Sequence, residues 1–182
     1  MLVQFLFYAA ILIGYAYMLL LIWSILRPRR RIWPPGAVSW KLYLIWGMFY
    51  LGAGLTVALM VLDWSTWTIP AEIRVAIGVP LTLLGAGLVI WGVRTLGLEN
   101  THGIRDRFVI SGPYRFTRNP QYLGDIILFT GLILIANSAR VTVILLLFVF
   151  SFILFPLTEE PWLEEQYGED YLRYKNQAPR FL

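Results

Sequence analysis

The sequence predicts an all-α polytopic membrane bundle of five transmembrane helices, followed by a cytoplasmic amphipathic helix near the C-terminal end. Three observations predict it. Hydrophobic residues fill 58% of the 182 positions and charged residues only 14%, whereas a soluble domain is roughly 45–50% apolar. A chain this short has too little interior to hide so much apolar surface from water, which excludes a soluble globular protein and a disordered one. The apolar residues gather in five runs of near membrane-crossing length, and the positive charges fall almost entirely between alternate runs.

The first run, residues 2–26, is interrupted among strongly polar types only by Gln4 and Ser24. As a helix it spans about 37 Å, enough to cross a bilayer with some tilt. It lacks a basic leader and a small-residue cleavage site, so it reads as an anchor. Runs 42–62 and 75–93 are equally clear, with Pro80 expected to kink the third helix or to sit in its first turns. Runs 122–138 and 141–157 are 17 residues each and joined by Ala139-Arg140. They read as a tight two-helix hairpin, with a re-entrant hairpin as the alternative.

Charge placement orients this layout. Of 15 basic residues, 13 lie in segments 27–41 and 94–121 or in the tail, leaving Arg74 and Arg140 on the other side. The positive-inside rule then puts the N-terminus outside and the C-terminus in the cytoplasm. The expected setting is a prokaryotic inner membrane. Trp64 and Trp67 fall at the expected outer aromatic belt, and Trp33 and Trp40 at the inner one. The cluster Arg27–Arg31 reads as a topology determinant in contact with anionic lipid.

The polar stretches are too short for a separate nucleotide-binding domain. Any cofactor must therefore be held by the helices and their short cytoplasmic connections. The absence of cysteine excludes disulfides and thiolate metal sites, and one histidine, His102, cannot build a multi-histidine site. Neither a metal nor a nucleic-acid partner is expected; the expected partners are membrane lipids.

Two segments carry chemistry. In 111–125, Gly112-Pro113 enforces a turn, and Asn119-Pro120 sets an extended residue before a favoured first helical position. The fourth helix is thus expected to start at Pro120 with Asn119 as N-cap. Its free N–H groups, beside Arg115 and Arg118, would attract an anion. Asp125, one turn into an apolar helix, needs a partner, and the nearest candidates are Arg118 and Arg115. In the second segment Glu159 and Glu160 stand where the fifth helix leaves the bilayer. Leu163, Tyr167, Tyr171 and Tyr174 then recur at helical spacing, which predicts an amphipathic helix on the membrane or over the bundle. Taken alone, each segment also fits a capped membrane helix and an interfacial anchor.

Together the stretches GPYRFTRNPQYLG (112–124) and EEPWLEEQYGEDYLRYKNQAPRF (159–181), separated by a helical hairpin, resemble the integral-membrane isoprenylcysteine carboxyl methyltransferase and phospholipid methyltransferase family. The resemblance implies methyl transfer from S-adenosylmethionine to a small or lipophilic acceptor at the cytoplasmic face. It divides one membrane domain into an N-terminal two-helix region (1–74) and a cofactor-binding core (75–182). It also implies a cofactor site built from Tyr114, Arg118, Asn119, Pro120, Tyr122, Leu123, Glu159, Glu160 and Leu163. Gly85 and Gly87 look like the Gly-x-Gly that phospholipid-methylating members use, although small residues also serve helix packing. Glu160, Asn119 and Arg118 are the residues it marks as catalytic.

Methyl transfer is an in-line displacement that needs alignment in a dry site, and aromatic faces such as Tyr122 or Trp162 favour a sulfonium. Many relatives carry His where this chain has Asn119. Carboxyl-methylating relatives also carry an Arg where this chain reads Phe155-Pro156-Leu157. These departures favour a lipid amine, thiol or hydroxyl over an isoprenylcysteine carboxylate. The stretch NPQYLGD also resembles the loop of NADPH-dependent membrane sterol reductases, the main alternative. A non-catalytic membrane scaffold is the other.

Overall fold

A computed structural model describes residues 1–181, which are helical apart from connecting loops and one isolated bridge. The longer helices are α1 (Leu2–Leu26), α2 (Trp40–Leu62), α3 (Ala71–Leu96), α4 (Pro120–Ala136), α5 (Ala139–Tyr167) and α6 (Glu169–Gln177), with a single further turn at Leu98–Thr101. Four of them, α1, α2, α3 and α5, are long and apolar enough to cross a membrane. The fourth expected span, α4, is apolar but only 17 residues long.

Two elements differ from the sequence expectation. The fifth span does not stop near residue 157: α5 runs unbroken for 29 residues, through Pro156 and Pro161, to Tyr167. The change from apolar to acidic composition after Leu157 marks an environment, and helicity continues across it. The expected single amphipathic helix is consequently split at Gly168, with Leu163 and Tyr167 on α5 and Tyr171 and Tyr174 on α6. Gly168 stands at φ +52°, a left-handed conformation that glycine adopts without penalty. The third span begins earlier than expected, at Ala71, and contains a π-turn over Arg74–Gly78. Pro80 lies two residues after it. Its ring crowds the carbonyl four residues back, and the widened turn takes up that crowding.

The closest helix pair is α3 against α4, and glycine makes it so. A Cβ built on Gly85 would lie 2.3 Å from the backbone nitrogen of Leu128, and one on Gly131 would lie 2.6 Å from that of Thr82. Only residues without side chains permit such backbone contact, the usual device where apolar helices must pack without a hydrophobic driving force. Against this pair, α1, α2 and α5 build an aromatic core. Tyr17 meets Phe148 and Phe155, Phe129 meets Phe152, and Tyr122 stacks on Phe155 at 5.0 Å.

At one end of the bundle the α4–α5 turn is tied to the α2–α3 connection. Asn137, in a left-handed conformation, receives the N–H of Ile69 and gives its carbonyl to Trp67. Ser138 caps α5 through Val141 and donates to Asp63, which also pairs with Arg140 at 2.6 Å. The hairpin is thereby fixed. The opposite end gathers both polar segments and the tail.

Candidate functional site

At that second end the chain folds three separate stretches onto one cavity. Ser24, near the end of α1, accepts the N–H groups of Ile32 and Trp33 at 3.0 and 3.3 Å. This turns the chain back and buries Trp33. Gly36 then pairs with the α3–α4 connection, its N–H to the Gly103 carbonyl and its carbonyl to Arg105. The α3–α4 connection closes on itself as the Tyr114 hydroxyl and the Thr101 hydroxyl both receive the Gln121 amide.

The tail is strapped across the Arg-Asn-Pro loop. Arg118 donates its backbone N–H to Pro179 and its guanidinium to the carbonyls of Lys175 and Ala178, at 2.8 and 2.6 Å. Carbonyls at the end of α6 carry partial negative charge, so a guanidinium there is favourable. Thr117 and Asn119 both donate to the Arg180 carbonyl at 3.0 Å. The Tyr174 hydroxyl donates to the Tyr114 carbonyl at 2.6 Å. Burial pushes the Tyr174 phenol up to about 12 and raises Tyr171 and Tyr114 as well, so all three stay neutral and Tyr174 keeps the proton it donates.

The adjacent carboxylates divide their work. Glu160 is 4% exposed and faces two arginines: Arg118 at 2.9 Å, and Arg180 through Nε and a terminal nitrogen, both at 2.8 Å. Lys175 stands 3.6 Å away. The hydrogen bond to Glu160 in turn raises Arg180. A buried carboxylate surrounded by fork-shaped donors is a structural knot. Glu159 points the other way, accepting the Trp33 indole N–H at 2.7 Å and the Tyr122 hydroxyl.

Between these groups lies a cavity open to solvent on one side. Its wall includes Tyr114, Arg118, Asn119, Tyr122, Glu159 and Leu163, six of the residues expected at the site. The others stand elsewhere. Pro120 and Leu123 belong to α4 behind the wall, and Glu160 supports it through Arg118. Gly85 is consumed by the α3–α4 contact, and Gly87 faces outward with nothing within 4 Å of a built Cβ. The pair therefore stands as packing and surface glycines, away from the cavity.

Three further expectations are corrected. Asn119 occupies the N-cap position of α4, but its side chain reaches the tail instead of capping. Arg115 is exposed and off the wall. Asp125 pairs with neither arginine, because Arg118 is taken by Glu160 and the α6 carbonyls.

The wall also holds residues that sequence reasoning missed or assigned to other duties. In the sequence Arg107 reads only as one of the orienting basic residues and Gln121 only as part of the 112–124 stretch, while Phe108 carries no signal. Trp162 was noted only for its ring, and Tyr171 and Tyr174 only as an amphipathic stripe. Trp33, read as a belt residue, grips Glu159. Among the described residues no group of His, Asp and Glu is arranged to hold a metal ion.

Residues 73–170, more than half of the chain, match the family model described as phospholipid methyltransferase. The match runs from α3 to the start of α6 and so includes the Arg-Asn-Pro loop and both carboxylates. No curated protein and no solved structure matches.

Proposed function

Given that the chain belongs to the phospholipid methyltransferase family, we propose that it transfers a methyl group from S-adenosylmethionine to a lipophilic acceptor at the cytoplasmic face of the membrane. The observation that carries this reading is the cavity walled by Arg118, Asn119, Glu159 and a ring of aromatic side chains. S-adenosylmethionine, when bound, supplies an electrophilic methyl group on a positively charged sulphur.

The residues present suit it. Arg118 has a buried Nε without a partner, and Arg107 stands on the same wall. Both offer donors to an amino-acid carboxylate. Glu159 offers acceptor oxygens to a ribose hydroxyl or an ammonium group. Tyr122 and Trp162 present faces that attract a sulfonium. Asn119 and Glu160 act on this wall by holding the tail and Arg118 in place; Tyr114 and Leu163 complete it. The buried wall residues Tyr114, Asn119 and Trp162 limit water around a displacement that needs alignment above all.

The concentration of basic residues in segments 27–41, 94–121 and the tail supports a cytoplasmic mouth. A soluble cofactor then enters from the cytoplasm and a lipophilic acceptor from the bilayer. The test is incubation of purified protein with methyl-labelled S-adenosylmethionine and a total lipid extract, followed by mass identification of the product. Label in a lipid is the expected result. Lipid reduction with NADPH and no methylation would turn the assignment to a reductase, and neither reaction would leave a scaffold.

A further inference from the structure

The short segment between α1 and α2 carries four guanidinium groups within five residues: Arg27, Arg29, Arg30 and Arg31. A single 3-10 turn over Pro28–Arg30 leaves the first three exposed. Among the described residues their side chains form no ion pair and no hydrogen bond, whereas Arg31 pairs with Glu165 on α5 at 2.7 Å. Like charges so close together repel one another. The turn also stands at the end of a membrane-crossing helix, directly after the exposed Ile22, Trp23 and Leu26. Trp23 donates its indole N–H to the Arg30 carbonyl at 3.2 Å, so an interfacial aromatic and the charged turn form one unit. Guanidinium groups at a bilayer edge match the phosphodiester of an anionic phospholipid in charge and in hydrogen-bond geometry. A zwitterionic headgroup brings its own cation into the cluster and is the poorer match.

The same segment ends in the wall of the cofactor cavity. Trp33 comes three positions after Arg30 and grips Glu159 at 2.7 Å, and Pro34 lines the cavity itself. Ser24 and Lys41 pin the chain between the turn and the wall. Ser24 accepts the N–H groups of Ile32 and Trp33, and Lys41 donates to the Arg31 carbonyl at 2.7 Å. Repulsion within the turn works against this arrangement, and a bound anion relieves it. The anion and the cofactor therefore favour the same form of the segment, the one in which Trp33 reaches Glu159. Two ligands that favour one form raise each other's affinity by the same factor.

We propose that Arg27, Arg29 and Arg30 form a docking surface for an anionic phospholipid headgroup, and that its occupancy raises cofactor affinity through Trp33 and Glu159. The proposal rests on the methyl-transfer reading for what fills the cavity. It goes beyond the orienting role of the cluster by making the surrounding lipid a regulator of the site.

The experiment places purified protein in nanodiscs of phosphatidylcholine, with and without one third phosphatidylglycerol, and titrates S-adenosylhomocysteine by calorimetry. This probe has no net charge, so the surface potential of an anionic disc does not concentrate it. Wild type is expected to bind it at least about threefold more tightly in the anionic discs. The triple variant Arg27→Gln, Arg29→Gln, Arg30→Gln should show one affinity in both discs, that of wild type in phosphatidylcholine. Trp33→Phe should also show one affinity in both. It should still gather fluorescent phosphatidylglycerol in preference to fluorescent phosphatidylcholine, which the triple variant should not. Equal wild-type affinity in the two discs overturns the proposal without any variant. An undiminished lipid effect in the triple variant or in Trp33→Phe overturns it too, as does an equal gain from soluble glycerol phosphate added to phosphatidylcholine discs. Absence of S-adenosylhomocysteine binding in either disc is a separate result that strikes the methyl-transfer reading itself, and the labelled-lipid comparison then still decides the docking surface.

Discussion

Trp33 donates its indole N–H to Glu159 at 2.7 Å, across 126 positions of sequence. The bond joins the segment between α1 and α2, which lies outside the family match, to one of the two adjacent carboxylates inside it. The N-terminal region is therefore part of the site wall. Replacing Trp33 by Phe leaves a buried acceptor short of a donor, at a cost of about 1–3 kcal/mol. S-adenosylhomocysteine affinity, measured by calorimetry, should fall on the order of 10-fold. Unchanged affinity would show that Glu159 does not depend on Trp33.

Glu160 is expected to matter for a different reason. Glu160→Ala leaves the Arg118 guanidinium, 9% exposed, without its carboxylate, and breaking such a buried pair costs about 3–5 kcal/mol. The tail strap should loosen and cofactor binding disappear. Susceptibility of the 168–181 segment to proteolysis, alongside binding, checks both. Micromolar binding by a folded Glu160→Ala protein would remove Glu160 from the account.

The two glycines of the Gly85-Ala-Gly87 sequence should part company. Gly85→Ala places a methyl group 2.3 Å from the Leu128 backbone nitrogen, and overpacking of that kind costs about 1–3 kcal/mol. Gly87→Ala meets open space and should stay within about 0.5 kcal/mol of wild type. Thermal denaturation in detergent measures both. Similar behaviour of the two variants would contradict the helix contact described here.

Tyr174 ties α6 to the loop before α4. Tyr174→Phe should cost about 0.5–1.5 kcal/mol and leave the Tyr114 carbonyl unpaired. The alkaline limit follows from the same residue. Burial raises its phenol from 10.0 to about 12, so the neutral form is favoured in the folded chain. Its contribution to stability is complete below about pH 10 and is lost as pH rises towards about 12. Stability curves for wild type and Tyr174→Phe should converge across that window. Parallel curves would rule out this titration.

The spans were legible because apolar length is a direct consequence of bilayer thickness, and the start of α4 because Asn119-Pro120 has one favoured reading. The Arg-Asn-Pro loop and the carboxylate pair were legible through resemblance. The remainder depends on tertiary contact. Arg180 sits in an aperiodic tail, and nothing local announces that its side chain reaches Glu160 while its carbonyl receives Asn119. Trp33 carries the ordinary signature of an interfacial aromatic. Gly87 differs from Gly85 only in which face of α3 it occupies, a distinction that requires knowing where α4 packs. Asp125 announced a need for a partner, and sequence proximity suggested Arg118; the fold spends Arg118 elsewhere.

We propose that the cavity held by Arg118 and Glu159 takes a sulfonium nucleoside. Calorimetric titration of the purified protein with S-adenosylhomocysteine tests it most directly, run beside NADPH and repeated on Arg118→Ala and Glu159→Gln. One-to-one binding of S-adenosylhomocysteine, weakened at least 10-fold in both variants and with no heat from NADPH, is the predicted result. Binding of NADPH in its place, or S-adenosylhomocysteine affinity indifferent to both substitutions, would contradict it.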